Sequence, residues 1–319
     1  MKNGNRKFSK GEVMHVYQRA RYGFNIFYTL NDYLVFFTIF SVFASRFDIR
    51  VLSLCLMVDH FHALLVSNCK ASLSKFIGSV TSLYARLFNE TVGKRGQLFD
   101  KSYGSAPKLT EKQVRTSIPY VFNNPVEKML CADPNDYRWN FLAYLSSDFP
   151  FSERIYIKKA SRALRSAVKE VRQCFENGLW LNYIQLNRLY GSLTSLEQNQ
   201  LTDYIIQTYN PFNKTKLVSY YKSLDLMNLA IRSTTGSEYD IKEDFHKSSD
   251  SSYSEIERCI YEHLHKCPKS LLALPVDEKI EIARQIAANT RATNRQIAKY
   301  LHLTVAKRWR VSCGVSTGC

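Results

Sequence analysis

The chain has 319 residues, 45% of them hydrophobic, and its 44 Lys and Arg against 28 Asp and Glu give a formal charge of +16. That length allows two or three domains with a sizeable core, and the charge suits a polyanionic partner, nucleic acid first. The eight cysteines, at 55, 69, 131, 174, 259, 267, 313 and 319, form no Cys-x-x-Cys pair, which excludes a zinc ribbon and a compact disulfide framework and fits a reducing, cytoplasmic setting.

The first residues, Met-Lys-Asn-Gly-Asn-Arg-Lys, lead into mixed polar sequence rather than a signal-peptide core. The longest apolar stretch, 33–44, is shorter than the roughly 20 residues of a membrane-spanning helix, so no membrane partner is expected. Positive charge divides evenly, +8 in residues 1–150 and +8 in the remainder, so a polyanion contact can involve both parts.

In chain order, residues 11–20 predict a first strand. An apolar helix follows to about Arg46, capped by Asn31 or Asp32. Next comes the apolar, β-prone run 51–66, broken at the turn former Asp59, which predicts a strand over 50–58 and an antiparallel partner over 60–66. On a strand, residues i and i+2 point to one side, so His60 and His62 aim two imidazoles at one point while Phe61 faces the opposite layer. That spacing suits a metal, and it suits two histidines packed in a core about equally. Over 71–92, Leu73, Phe76, Ile77, Val80, Leu83, Tyr84 and Leu87 recur at three-to-four spacing as one face of a helix, which Gly93-Lys-Arg-Gly96 ends. Residues 97–108 read as a strand plus a loop carrying Lys101 and Lys108. The order predicts an α+β fold, an antiparallel sheet with helices on one face.

The segment Thr116-Ser-Ile-Pro-Tyr-Val-Phe-Asn-Asn-Pro-Val-Glu-Lys128 follows. On one helix Tyr120 and Asn124 share a face at i, i+4, with Glu127 near the same stripe. Alternatively, Asn124 before Pro125 is an N-cap with Pro at the first helical position, and Pro119 bends any helix through Tyr120. The residues alone do not single out Tyr120 among 20 tyrosines.

Taken together, Met14-His-Val-Tyr17, Asn25-Ile-Phe27, Asn31-Asp-Tyr33, the run Cys55-Leu-Met-Val-Asp-His-Phe-His-Ala-Leu-Leu65 and Tyr120-Val-Phe-Asn-Asn-Pro-Val126 resemble the single-tyrosine HUH transposases, with the REP-associated tyrosine transposases (IS200-like) nearest. The resemblance covers about residues 10–145, including Asp136-Tyr-Arg-Trp139. It implies an HUH/ferredoxin-like nuclease domain over 1–150 in which His60, His62 and Asn124 bind Mg²⁺ or Mn²⁺ and Tyr120 is the nucleophile. The implied substrate is single-stranded or hairpin DNA, cleaved and rejoined through a 5′-phosphotyrosine intermediate by a monomer or homodimer. Val58-Asp59 stands where the family usually has Pro-Asn, and Val121-Phe122 replaces an isoleucine context; neither departure removes a catalytic group. Of the other tyrosines weighed, Tyr84 lies on an apolar helix stripe and Tyr103 in a Gly-Ser loop. Two other classes stay open: a catalytically silent DNA-binding protein of the same fold, and a water-using His-x-His metallohydrolase.

Beyond Pro150 the pattern is helical, with a long basic helix over 152–175 and shorter ones over 195–209 and 217–232 in a region 151–245. A polar linker, 246–252, precedes a last helical part, 253–319. There, Glu262-His-Leu-His-Lys-Cys267 repeats a His-x-His, but on a helix i and i+2 are roughly 200° apart, so His263 and His265 cannot chelate one ion. Residues 274–304 resemble the opening helices of a helix-turn-helix whose recognition helix, 305–311, would carry Lys307, Arg308 and Arg310; a plain helical bundle fits nearly as well. Lys94, Arg95, Lys101 and Lys108 are the DNA-contact candidates of the first domain.

Overall fold

Four strands form one antiparallel sheet, β1 (Val13–Arg19), β2 (Arg50–Leu56), β3 (His60–Val66) and β4 (Gly104–Lys108), in the order β2-β3-β1-β4. The structure is a computed structural model and describes residues 7–233 and 250–304. The predicted hairpin forms as β2 and β3, and β1 lies between β3 and β4, so the strand bearing the histidines is internal.

Alternation along β1 and β3 divides their side chains between two layers. Met14, Val16, Phe61, Ala63 and Leu65 face helices α1 (Leu30–Arg46) and α2 (Lys70–Thr91), which share one face of the sheet as expected. Val13, Leu64 and Val66 turn the other way, toward Val114, Ile118 and Val121 of α3 (Glu111–Glu127), so the histidine face is closed by a third helix. The cap of α1 is Thr29 rather than Asn31 or Asp32. Thr29 accepts from the Asp32 amide, and Asp32 is the reciprocal partner of that capping box, accepting from the Thr29 amide at 2.8 Å. The other carboxylate oxygen of Asp32 accepts from the Tyr183 hydroxyl at 2.7 Å and from the ammonium of Lys269. One buried carboxylate thus joins three distant segments.

Helix α3 runs through both Pro119 and Pro125 and is capped by Thr110, so Asn124 is an interior residue and not the start of a new helix. Pro119 has no N–H to give the carbonyl of Arg115, one turn back. The Tyr221 hydroxyl donates to that carbonyl instead, which lets the helix continue into Tyr120. Tyr221→Phe should therefore lower unfolding stability by about 1 kcal/mol, near the usual net value of one hydrogen bond. A urea midpoint unchanged from wild type would show that solvent replaces the phenol.

Three short 3-10 turns between Pro134 and Leu145 follow α3. In them Trp139 stacks on Tyr33 with centroids 4.4 Å apart, and the Tyr137 hydroxyl donates to the Leu56 carbonyl at 2.8 Å. The expected basic helix starts later, as α4 (Arg162–Glu176), and an unpredicted α5 (Tyr183–Tyr190) precedes α6 (Ser195–Thr208). Leu164, Val168, Leu186, Leu201 and Ile205 from these helices join the α1 core. The chain then passes the β2 edge, where Phe212 bridges to Val51 and the Asn213 amide donates to the Val51 carbonyl at 2.8 Å. The helix predicted over 217–232 is two, α7 (Lys214–Ser219) and α8 (Leu224–Ser233), both set against the α3 layer.

The last described helices are α9 (Ser251–Leu264), α10 (Val276–Asn289) and α11 (Asn294–Tyr300). Of the expected linker 246–252, residues 246–249 lie outside the described residues, and α9 begins at Ser251. His263 is in the last turn of α9 and His265 is its left-handed cap, both exposed. The expected recognition helix, with Lys307, Arg308 and Arg310, lies outside the described residues. Among the described residues no helix is long and apolar enough to cross a membrane.

Candidate active site

On β3 the two histidines point with Leu64 and Val66 toward α3, while Phe61 between them packs with α1. They are 3% and 0% exposed, with ring centroids 4.9 Å apart and planes at 87°. Pairing with β1 places Tyr17 opposite His62 and Arg19 opposite His60. The ring of Tyr17 lies over His62 at 5.9 Å, and it also lies across Gly104 of β4, where a Cβ would come within 2.2 Å of it. Glycine is needed there because no side chain fits beneath the tyrosine.

The same face of β1 carries a third imidazole. His15 is fully buried, and its Nε2 shares a hydrogen bond of 3.0 Å with His62 Nδ1. Sequence reasoning gave His15 no role; the signal available was the period of two that puts Val13, His15 and Tyr17 on the side of the sheet shared with His60 and His62. Across from these strands α3 presents Tyr120, 2% exposed, with its ring 5.6 Å from that of His62 and 5.5 Å from that of His15. Asn124 lies one helical turn farther on and is buried at 2% exposure. The structure therefore brings His60, His62 and Tyr120 together, with Asn124 on the same helix face. Tyr84 is in the α1–α2 core, its hydroxyl donating to the Ile26 carbonyl at 2.6 Å, and the Tyr103 hydroxyl pairs with Ser74 at 2.9 Å.

The electrostatics favour a neutral imidazole at His62. Burial pushes the His62 imidazole well below its ordinary value, and His60, His15, Arg19 and Lys128 push in the same direction. His60 Nδ1 is 2.5 Å from Asp59 Oδ1. Burial alone would raise the Asp59 carboxyl, but His60, Lys299 and Arg19 outweigh it and hold it at about 2, so it is ionised throughout the neutral range. Asp59 is thus more than a turn former. It is the carboxylate partner that fixes which nitrogen of His60 carries the proton.

With Nδ1 engaged, His60 Nε2 is buried and has no hydrogen-bond partner among the described residues. Such an atom costs free energy unless something meets it, and a divalent metal is one group that would. No three His, Cys, Asp or Glu side chains among the described residues form a metal cluster. An ion on the histidine pair therefore needs an amide such as that of Asn124, with phosphate and water, to fill its shell.

Of the cationic candidates, Lys94, Arg95 and Lys101 belong to the loop before β4, where Phe99 bridges to Ala20 and the Asp100 amide donates to the Arg19 carbonyl. That loop flanks the His60 end of the sheet, and Arg95 and Lys101 are exposed. Lys108 is not part of this surface: it pairs with Val13 on the histidine side of the sheet and is 1% exposed.

A four-stranded antiparallel sheet with a His-x-His on an inner strand and a tyrosine-bearing helix against it makes an α+β domain, continued here by a mostly helical region. Residues 12–124 match the family model described as "Transposase IS200 like". A solved structure of a REP-associated tyrosine transposase bound to a REP hairpin is similar to this chain at 14% identity and a TM-score of 0.40, over 49% of this chain and 99% of that one. No curated protein matches the chain.

Proposed function

We propose that the protein is a metal-dependent DNA transposase that cleaves and rejoins single-stranded or hairpin DNA through a phosphotyrosine at Tyr120. The observation that carries this reading is the placement of a buried tyrosine ring 5.6 Å from the ring of His62, in a segment that matches the transposase family. In cleavage, Tyr120 Oη forms a bond to the scissile phosphorus as the bond from phosphorus to the 3′ oxygen breaks. The phenol gives up its proton, the 3′ oxygen gains one, and a 5′-phosphotyrosine and a free 3′-OH result. Attack of a 3′-OH on that phosphotyrosine reverses the step and rejoins a strand.

His60, His62 and Asn124 would hold the metal, whose chemistry when bound is to polarise the phosphate and align it with the nucleophile. Asp59 keeps the Nδ1 proton of His60 in place, and His15 anchors His62 through Nδ1, so Nε2 of each ring is the nitrogen to be presented to an ion. The charge of +16, and the loop carrying Lys94, Arg95 and Lys101, supply sequence-independent attraction for phosphates near His60. Incubation with labelled single-stranded hairpins and Mg²⁺ or Mn²⁺ should yield a covalent protein–DNA adduct that resists denaturation. Failure to cleave any such substrate while binding it would favour the silent DNA-binding class.

A further inference from the structure

A residue from the far end of the chain reaches this site. Lys299 of α11 places Nζ 3.7 Å from Asp59 Oδ2, the carboxylate oxygen that His60 does not use. It does so over Gly23, whose φ is +65° and where a Cβ would lie 3.1 Å from Lys299 Cε and 3.2 Å from Nζ. The two side chains are 23% and 12% exposed, so the pair is partly withdrawn from water, where a charge contact is less screened than on an open surface.

The backbone around Lys299 is fastened to the first domain. The Asn25 amide donates to the Lys299 carbonyl at 3.4 Å, the Tyr28 hydroxyl donates to the Tyr300 carbonyl at 2.5 Å, and His302 Nε2 donates to the Asn25 carbonyl at 2.7 Å. The His302 ring stacks on Phe24 at 4.5 Å. Asp59 itself is held at its main chain, its carbonyl accepting from the Ala20 amide at 2.7 Å. What Lys299 adds is a grip on the side chain. A carboxylate hydrogen-bonded to an imidazole at one oxygen and paired with an ammonium 3.7 Å from the other is biased to one orientation; with the ammonium gone it rotates more freely and lets the imidazole turn with it.

We propose that Lys299 is a positioning residue of the candidate active site, acting through Asp59 to fix the ring plane and proton position of His60. On this view the C-terminal helices complete the centre and are more than an appended DNA-binding tail. The inference rests on the reading of His60 as a metal ligand. Loss of such an outer partner typically weakens metal affinity by about 10–100-fold.

The test is Mn²⁺ titration of the full chain without DNA, followed by electron paramagnetic resonance of the unbound ion. Lys299→Ala should weaken binding by about tenfold, Lys299→Arg should restore most of it, and His302→Ala, which loosens the same helix end but keeps the ammonium, should weaken it less. Nitrogen-15 NMR of the histidines should show His60 protonated at Nδ1 in the wild type and a mixture of tautomers in Lys299→Ala. If Lys299→Ala does not fold, Lys299→Met, which keeps the stem beside Gly23 and removes only the charge, carries the same expectation. Wild-type Mn²⁺ affinity in the Lys299 variants, alongside loss in His60→Ala, overturns this proposal and leaves the transposase reading standing. Equal weakening by His302→Ala also overturns it, because docking alone would then explain the effect. Mn²⁺ binding indifferent to His60→Ala overturns both readings.

Discussion

Replacing Tyr120 by Phe should abolish the covalent adduct and lower cleavage by roughly 10³-fold or more, the scale on which loss of a nucleophile is felt. The substitution removes one oxygen and leaves the ring against His15 and His62, so fold, metal binding and hairpin binding should persist. Gel resolution of a labelled oligonucleotide under denaturing conditions reads the adduct directly. An adduct that survives in the Phe variant would place the nucleophile elsewhere, with Tyr103 the next to test. Cleavage without any adduct in the wild type, retained in the Phe variant, would replace the transposase reading with a water-using metallohydrolase.

His60→Ala and His62→Ala should each remove metal-dependent cleavage by more than the roughly 10–100-fold that follows loss of an outer partner, while hairpin binding falls much less, because Lys and Arg contacts to phosphates do not pass through the imidazoles. The two variants should differ in stability. His62 is fully buried and bonded to His15, so its removal leaves His15 without that partner and should cost about 1–3 kcal/mol of folding free energy. His60→Ala instead unpairs Asp59, which still has Lys299 nearby. Equal metal-dependent activity in both variants and the wild type would take the pair out of the mechanism.

The parts of this architecture legible in the sequence are those governed by local periodicity. The β2–β3 hairpin and the turn at Asp59 follow from a period of two broken by one turn former, and α2 follows from its three-to-four stripe. The shared side of His60 and His62 needed no more than strand alternation. Other features depended on long-range partners that no local pattern shows. Pro119 reads as a helix breaker until Tyr221, 106 residues beyond Arg115, supplies the donor that the Arg115 carbonyl lacks. The role of Asp59 beyond turning the chain depends on its neighbour His60 and on Lys299 from α11. The place of His15 is not legible locally because its hydrogen-bond partner, His62, lies on the neighbouring strand, opposite Tyr17, and 47 residues away in sequence. The start of α4 and the break between α7 and α8 are boundary errors, where apolar patterning continued through turns.

The carboxylate of Asp32 bears on the order in which the protein is assembled. Its bonds to Thr29 are made within three residues, whereas Tyr183 and Lys269 lie 151 and 237 residues away in the chain. Closing long loops is slow compared with closing a helix turn. During synthesis the capping box can form as soon as α1 has left the ribosome, holding a charge that the lysine reaches only near the end of translation. The first domain should thus acquire its secondary structure early and its final burial late. A chain halted before Lys269 would carry an anionic, incompletely covered surface on α1 where the finished protein has an ion pair.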